Sequence, residues 1–129
     1  MKLALRAVAV VAVLFGAITV WSGGSVLFGG GAAAAGNYVP FVLWFNFLAG
    51  FAYIAAGIGL WRRRAWATAL AAALAALTAL VFAAFGGWVA TGGAYEARTV
   101  IAMTVRTALW SFIAILAWRA GRSLEQRAP

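Results

Sequence analysis

Four stretches of this chain, Ala7–Phe28, Val39–Trp61, Ala65–Trp88 and Thr99–Trp118, carry one charged residue between them, Arg106. Each reaches the roughly 20 residues that an α-helix needs to cross a hydrocarbon core of about 30 Å. Lipid offers no partner to backbone N–H and C=O groups, so uninterrupted apolar runs of this length satisfy them internally as helices. No water-facing domain can be assembled from the rest. Only 9% of the residues are charged, against roughly 25% in soluble domains. The expected fold is an all-α membrane protein, an antiparallel four-transmembrane-helix bundle forming one integral membrane domain over residues 1–129. Helices are expected over 4–28, 39–61, 65–88 and 99–118, with a short polar tail at 119–129.

Charge placement sets the expected topology. Ten Lys and Arg stand against two acids, yet the cations sit at the ends of apolar runs and not along a soluble basic face. That arrangement argues against nucleic acid and for anionic lipids at the cytoplasmic surface. Lys2 and Arg6 precede the first run, Arg62, Arg63 and Arg64 separate the second from the third, and Arg119, Arg122 and Arg127 follow the fourth. The other two connections carry only Arg98. By the positive-inside rule both termini and the arginine turn are expected in the cytoplasm, here of a bacterium with the protein multi-pass in its inner membrane. Trp61 and Trp66 bracket the arginine turn as interfacial tryptophans do.

The first run competes with a secretory signal, since a basic start precedes it and the small residues Ala32–Ala35 follow it. Its length favours a true first helix, because a signal core spans about 7–15 residues. Ala9, Ala12, Gly16, Thr19 and Gly23 repeat at helical spacing and form a small-residue stripe suited to close helix contact in lipid. On the second helix Asn46, Gly50, Tyr53 and Gly57 share a face. Pro40 suits that helix's first turn, where its missing N–H is no loss. The third run is nearly an alanine–leucine polymer. Its thin stripe (Ala69, Ala73, Ala76, Ala83 and Gly87) is expected to face the bundle, with Leu70, Leu74, Leu77 and Val81 outward.

The chain has no cysteine and no histidine, which removes thiol redox chemistry, the usual haem and transition-metal ligands and the commonest general base. Glu96 and Glu125 leave no carboxylate pair for acid–base catalysis within the spans. No catalytic or metal-binding residue is therefore assigned.

Polar side chains converge on one level. Arg106 and Asn46 each lie seven residues into a helix descending from outside, about 10 Å deep at 1.5 Å per residue, and Thr19 ascends to within roughly 8 Å of the same boundary. Arg106 is the costly member, at about 2.5–3.5 kcal/mol on insertion scales. Three readings stay open for it: snorkelling to outer headgroups, a hydrogen bond to neighbouring helices, or a site for an anionic or carbonyl-bearing ligand. In the last, Arg106, Asn46, Tyr53, Thr19, Met103 and Trp110 form the site, with Glu96 and Arg98 as its charged outer rim. A quinone or a bound lipid is the ligand class. Glu96 pairs with Arg106 only if the fourth helix begins after Arg98 or a neighbouring subunit supplies the acid.

The blocks Tyr38-Val39-Pro40-Phe41, Phe45-Asn46-Phe47-Leu48-Ala49-Gly50 and Gly93-Ala94-Tyr95-Glu96-Ala97-Arg98-Thr99 resemble small four-helix bacterial inner-membrane proteins. The architecture is also similar to that of DoxX-like membrane proteins, some of which accompany quinone-linked oxidoreductases; no motif residue carries over. Small multidrug transporters share the helix number but use an acid in the first helix, and this first helix has none. A non-enzymatic accessory or ligand-binding bundle is expected, working as an oligomer or within a larger membrane complex. The alternatives are an oligomeric transporter or channel and a quinone- or lipid-linked enzyme.

Overall fold

The computed structural model describes residues 2–30, 36 and 38–127. The Ala32–Ala35 run, most of the connector around it and the last two residues of the tail lie outside the described residues. Four helices follow in order: α1 over Lys2–Phe28, α2 over Pro40–Trp61, α3 over Ala65–Ala90 and α4 over Ala97–Arg127. All four contain spans long and apolar enough to cross a membrane. The protein is a small multi-span membrane protein whose helices pack antiparallel. One end of the bundle, the basic end, holds the arginine turn and the N-terminus, and the opposite, distal end holds the other two connections.

Helix ends explain the short turns. Val39 is extended ahead of Pro40 at the first position of α2, as the residue before a proline prefers. At the other end of α2, Arg64 N–H donates to the Gly59 carbonyl at 2.8 Å and Arg63 N–H to that of Leu60 at 3.1 Å. This is the Schellman arrangement, whose middle residue is left-handed. Arg63 fills that place with φ 56°, a conformation that glycine adopts without penalty. The end of α3 repeats the motif, with Gly93 N–H on the Trp88 carbonyl and Gly92 at φ 89°.

Six of the seven tryptophans lie partly or largely exposed toward the two ends: Trp21, Trp44 and Trp88 distally, Trp61, Trp66 and Trp118 at the basic end. Trp66 and Trp88 are 22 positions apart on α3, about 33 Å along the axis. Two aromatic belts at that separation match the two faces of a bilayer. Trp110 is the seventh and is fully buried.

The tightest contact joins α1 to α2, where the small stripe works as expected. Ala9, Ala12, Gly16, Thr19 and Gly23 are all buried. A Cβ on Gly16 would sit 2.7 Å from the Gly50 carbonyl oxygen, and one on Gly57 would sit 2.8 Å from that of Ala9. The two backbones therefore touch directly. By contrast α1 and α4 barely pack, which leaves a seam on that side of the bundle.

Two expectations are corrected. On α3 the thin stripe faces outward, with Ala69, Ala73, Ala76, Ala83 and Gly87 exposed. The buried face carries Ala67, Ala71, Leu74, Thr78 and Phe85. Space between α3 and its neighbours is filled by Leu74 and Phe85, so the bundle needs bulk there. The expected tail also differs, since α4 continues through residues 119–127 as helix.

Candidate functional site

The site is built on facing residues of α1, α2 and α4. At its top a cavity of about 620 Å³ lies between the distal ends of these helices, with Ser22 and Ser25 on α1, Asn46 on α2, and Arg98, Thr99 and Ala102 at the start of α4 among its walls. That volume lies within the range of small-molecule pockets. Glu96 and Arg98, the expected rim, both approach Gly36 in the α1–α2 connection. A Cβ on Gly36 would run into the Glu96 carboxylate and come 3.8 Å from Arg98 Nη2.

Asn46 forms part of the cavity lining and is poorly satisfied. Its Nδ2 donates to Met103 Sδ at 3.6 Å, a weak acceptor. Its Oδ1 is buried with no hydrogen-bond partner. Met103 itself is packed with Val39, Val42 and Phe85 in a small apolar cluster at the distal end.

Arg106 lies one helical turn below Ala102, and Thr19 lies three residues below Ser22, so both sit beneath the cavity. Arg106 Nη1 donates to Thr19 Oγ1 at 3.0 Å. The guanidinium carbon is 4.9 Å from the Phe15 ring and 5.9 Å from the Tyr53 ring. Its side chain turns toward Thr19, Phe15 and Tyr53 of the neighbouring helices. The fourth helix starts at Ala97, before Arg98, so nine helical steps of about 14 Å lie between its first residue and Arg106.

How the helix tolerates this cation is then a matter of magnitudes. Cation–π contacts contribute roughly 0.5–2 kcal/mol each, and interhelical hydrogen bonds in membranes about 0.6–2 kcal/mol. Together they offset most of the roughly 2.5–3.5 kcal/mol that insertion costs. Aromatic faces stand where an acid was sought. Arg106 Nε is in addition buried without a partner.

Below Arg106, Tyr53 stacks on Trp110 with ring centroids 4.7 Å apart and planes 23° apart. Phe15 tilts against Tyr53 at 5.7 Å. Tyr53 Oη, Trp110 Nε1 and Thr78 Oγ1 are all buried without partners. The six expected residues are thus brought together in two steps, Asn46 with Met103, and Arg106 with Thr19, Tyr53 and, beneath them, Trp110. Phe15 was missed. Phe15 precedes Thr19 by four positions, a same-face spacing that an apolar helix hides. Beyond Trp110 the interior is apolar, closed by Leu5, Leu60, Ala71, Ile113 and Ala117.

No family model, characterised protein or solved structure matches the chain. The likeness to DoxX-like and other small inner-membrane proteins therefore comes down to a shared plan of four membrane-spanning helices.

Proposed function

We propose that this is a non-enzymatic binding or accessory protein of the bacterial inner membrane, with both termini cytoplasmic and its pocket in the outer-leaflet half. The ligand is an amphiphile whose head carries an anionic or carbonyl oxygen, such as a quinone, a phospholipid or a fatty acid. One observation carries this reading. Arg106 turns inward beneath an open cavity, held by Thr19 and aromatic faces. The unpartnered Asn46 Oδ1 and Arg106 Nε add an acceptor and a donor along the same line. Binding is favoured over passage because the basic half of the interior is filled by packed apolar side chains.

The test is solvent extraction of protein purified in mild detergent, with the small molecules identified by mass. An oxygen-headed amphiphile is expected at close to one per chain, and its class is read directly from its mass. Arg106→Ala should lower its retention about tenfold or more, the scale of a lost charged hydrogen bond. Asn46→Leu should lower it too, with the Arg106 charge intact. An identical set of molecules from all three proteins would end the proposal.

A further inference from the structure

A second site lies at the basic end, on the outside of the α1–α2 pair and away from the Arg106 pocket. A groove of about 500 Å³ runs between these helices, lined mainly by Val10, Val13 and Leu14 from α1 and by Ile58, Trp61 and Arg62 from α2. On each helix the apolar lining ends in an arginine one turn further toward the basic end. Arg6 precedes Val10 by four residues on α1, and Arg62 follows Ile58 by four on α2, so each cation shares a face with the groove wall. Arg6 lies over the Trp61 ring at 4.9 Å, which draws it across to the α2 side. Leu14 to Arg6 spans eight residues, about 12 Å of apolar trough closed by charge at one end.

We infer that this groove is a binding site for an anionic phospholipid, with an acyl chain in the trough and the phosphate between Arg6 and Arg62. The occupant follows from charge complementarity. An apolar groove alone accepts any acyl chain, but two guanidinium groups at its mouth select a negative head, and guanidinium groups pair with phosphate by parallel hydrogen bonds. Trp61 sits where interfacial indoles sit, at headgroup level. The site is more specific than a basic surface, because of the turn's three arginines only Arg62 lines the trough, and Arg6 reaches its wall through the Trp61 ring.

Native mass spectrometry from nanodiscs of equal phosphatidylglycerol and phosphatidylcholine with matched chains tests this. The native protein should retain phosphatidylglycerol in preference, and loss of Arg6 or Arg62 to Ala should weaken that preference by roughly fivefold each. Arg64→Ala should leave it nearly unchanged. Ile58→Trp, which fills the trough with both arginines kept, should lower retention as well. Equal retention of both lipids by the native protein overturns the site. So does an Arg64→Ala effect as large as that of Arg62→Ala, which would mean a diffuse basic surface. An Ile58→Trp variant that binds like the native protein overturns the trough.

Discussion

Arg106 on α4 donates to Thr19 on α1 at 3.0 Å across a seam where the two helices otherwise barely pack. A part-buried guanidinium thereby links the first and last spans of the protein, 87 positions apart. The link stands about one helical turn below Ser22 and Ala102, which line the open cavity.

Thr19→Val keeps the shape of the side chain and removes the acceptor. Loss of a hydrogen bond to a charged group is expected to cost about 1–3 kcal/mol, read as a lower unfolding midpoint in micelles. Thr19→Ser, which keeps the oxygen and loses one buried methyl, should cost only about 0.5–1 kcal/mol on the same scale. Equal losses for the two would mean that the hydroxyl does not hold Arg106.

Gly16 and Gly24 form a contrast on one helix. A Cβ on Gly16 would sit 2.7 Å from the Gly50 carbonyl oxygen, whereas one on Gly24 meets only the Phe47 ring edge at 3.4 Å. Gly16→Ala should destabilise by about 1–3 kcal/mol through overpacking. Gly24→Ala should be neutral or stabilising by up to about 1 kcal/mol, because alanine is the better helix former. Thermal unfolding of both variants in one detergent decides this.

Arg63 holds a left-handed backbone at φ 56° in a place that glycine commonly fills. Arg63→Gly is expected to stabilise the α2–α3 turn by about 1 kcal/mol. A lower unfolding midpoint would show that the side chain contributes more than its backbone strain costs.

Thr78 is fully buried and its hydroxyl finds no partner. The hydroxyls of Thr104 and Thr107 instead bond the carbonyl four residues back. Thr78→Val, with the same shape and no polar atom, should be neutral or stabilising by about 1 kcal/mol. Clear destabilisation would reveal a bond to the hydroxyl that the protein does make.

The fold was legible because length and charge are robust signals in lipid. Four runs separated by charged or glycine-rich connections set the helix number, and the α1 stripe around Gly16 identified a contact face from residue size alone. The same logic failed on α3. In a bilayer the outside is as apolar as the inside, so an alanine–leucine pattern does not say which face turns inward. Phe85 went in beside Val39 and Met103 and Leu74 went into the larger core with Trp110 and Ile113, while Ala73 and Ala76 went out, because both spaces needed large side chains. Continuation of α4 beyond Trp118 was missed by equating polarity with loop, although residues 119–127 contain no proline. At the site, Arg106, Asn46 and Thr19 were conspicuous as polar residues in apolar runs. Phe15 was not, because a phenylalanine in a membrane helix becomes informative only when a cation lies over its ring.

Whether Arg106 faces inward to hold an oxygen-bearing ligand is visible in an experimental structure solved in lipid nanodiscs. The expected result is a guanidinium bonded to Thr19 beside Phe15 and Tyr53, with non-protein density between it and the cavity above. An Arg106 extended to the outer headgroups, with no such density beneath Asn46, would contradict the account.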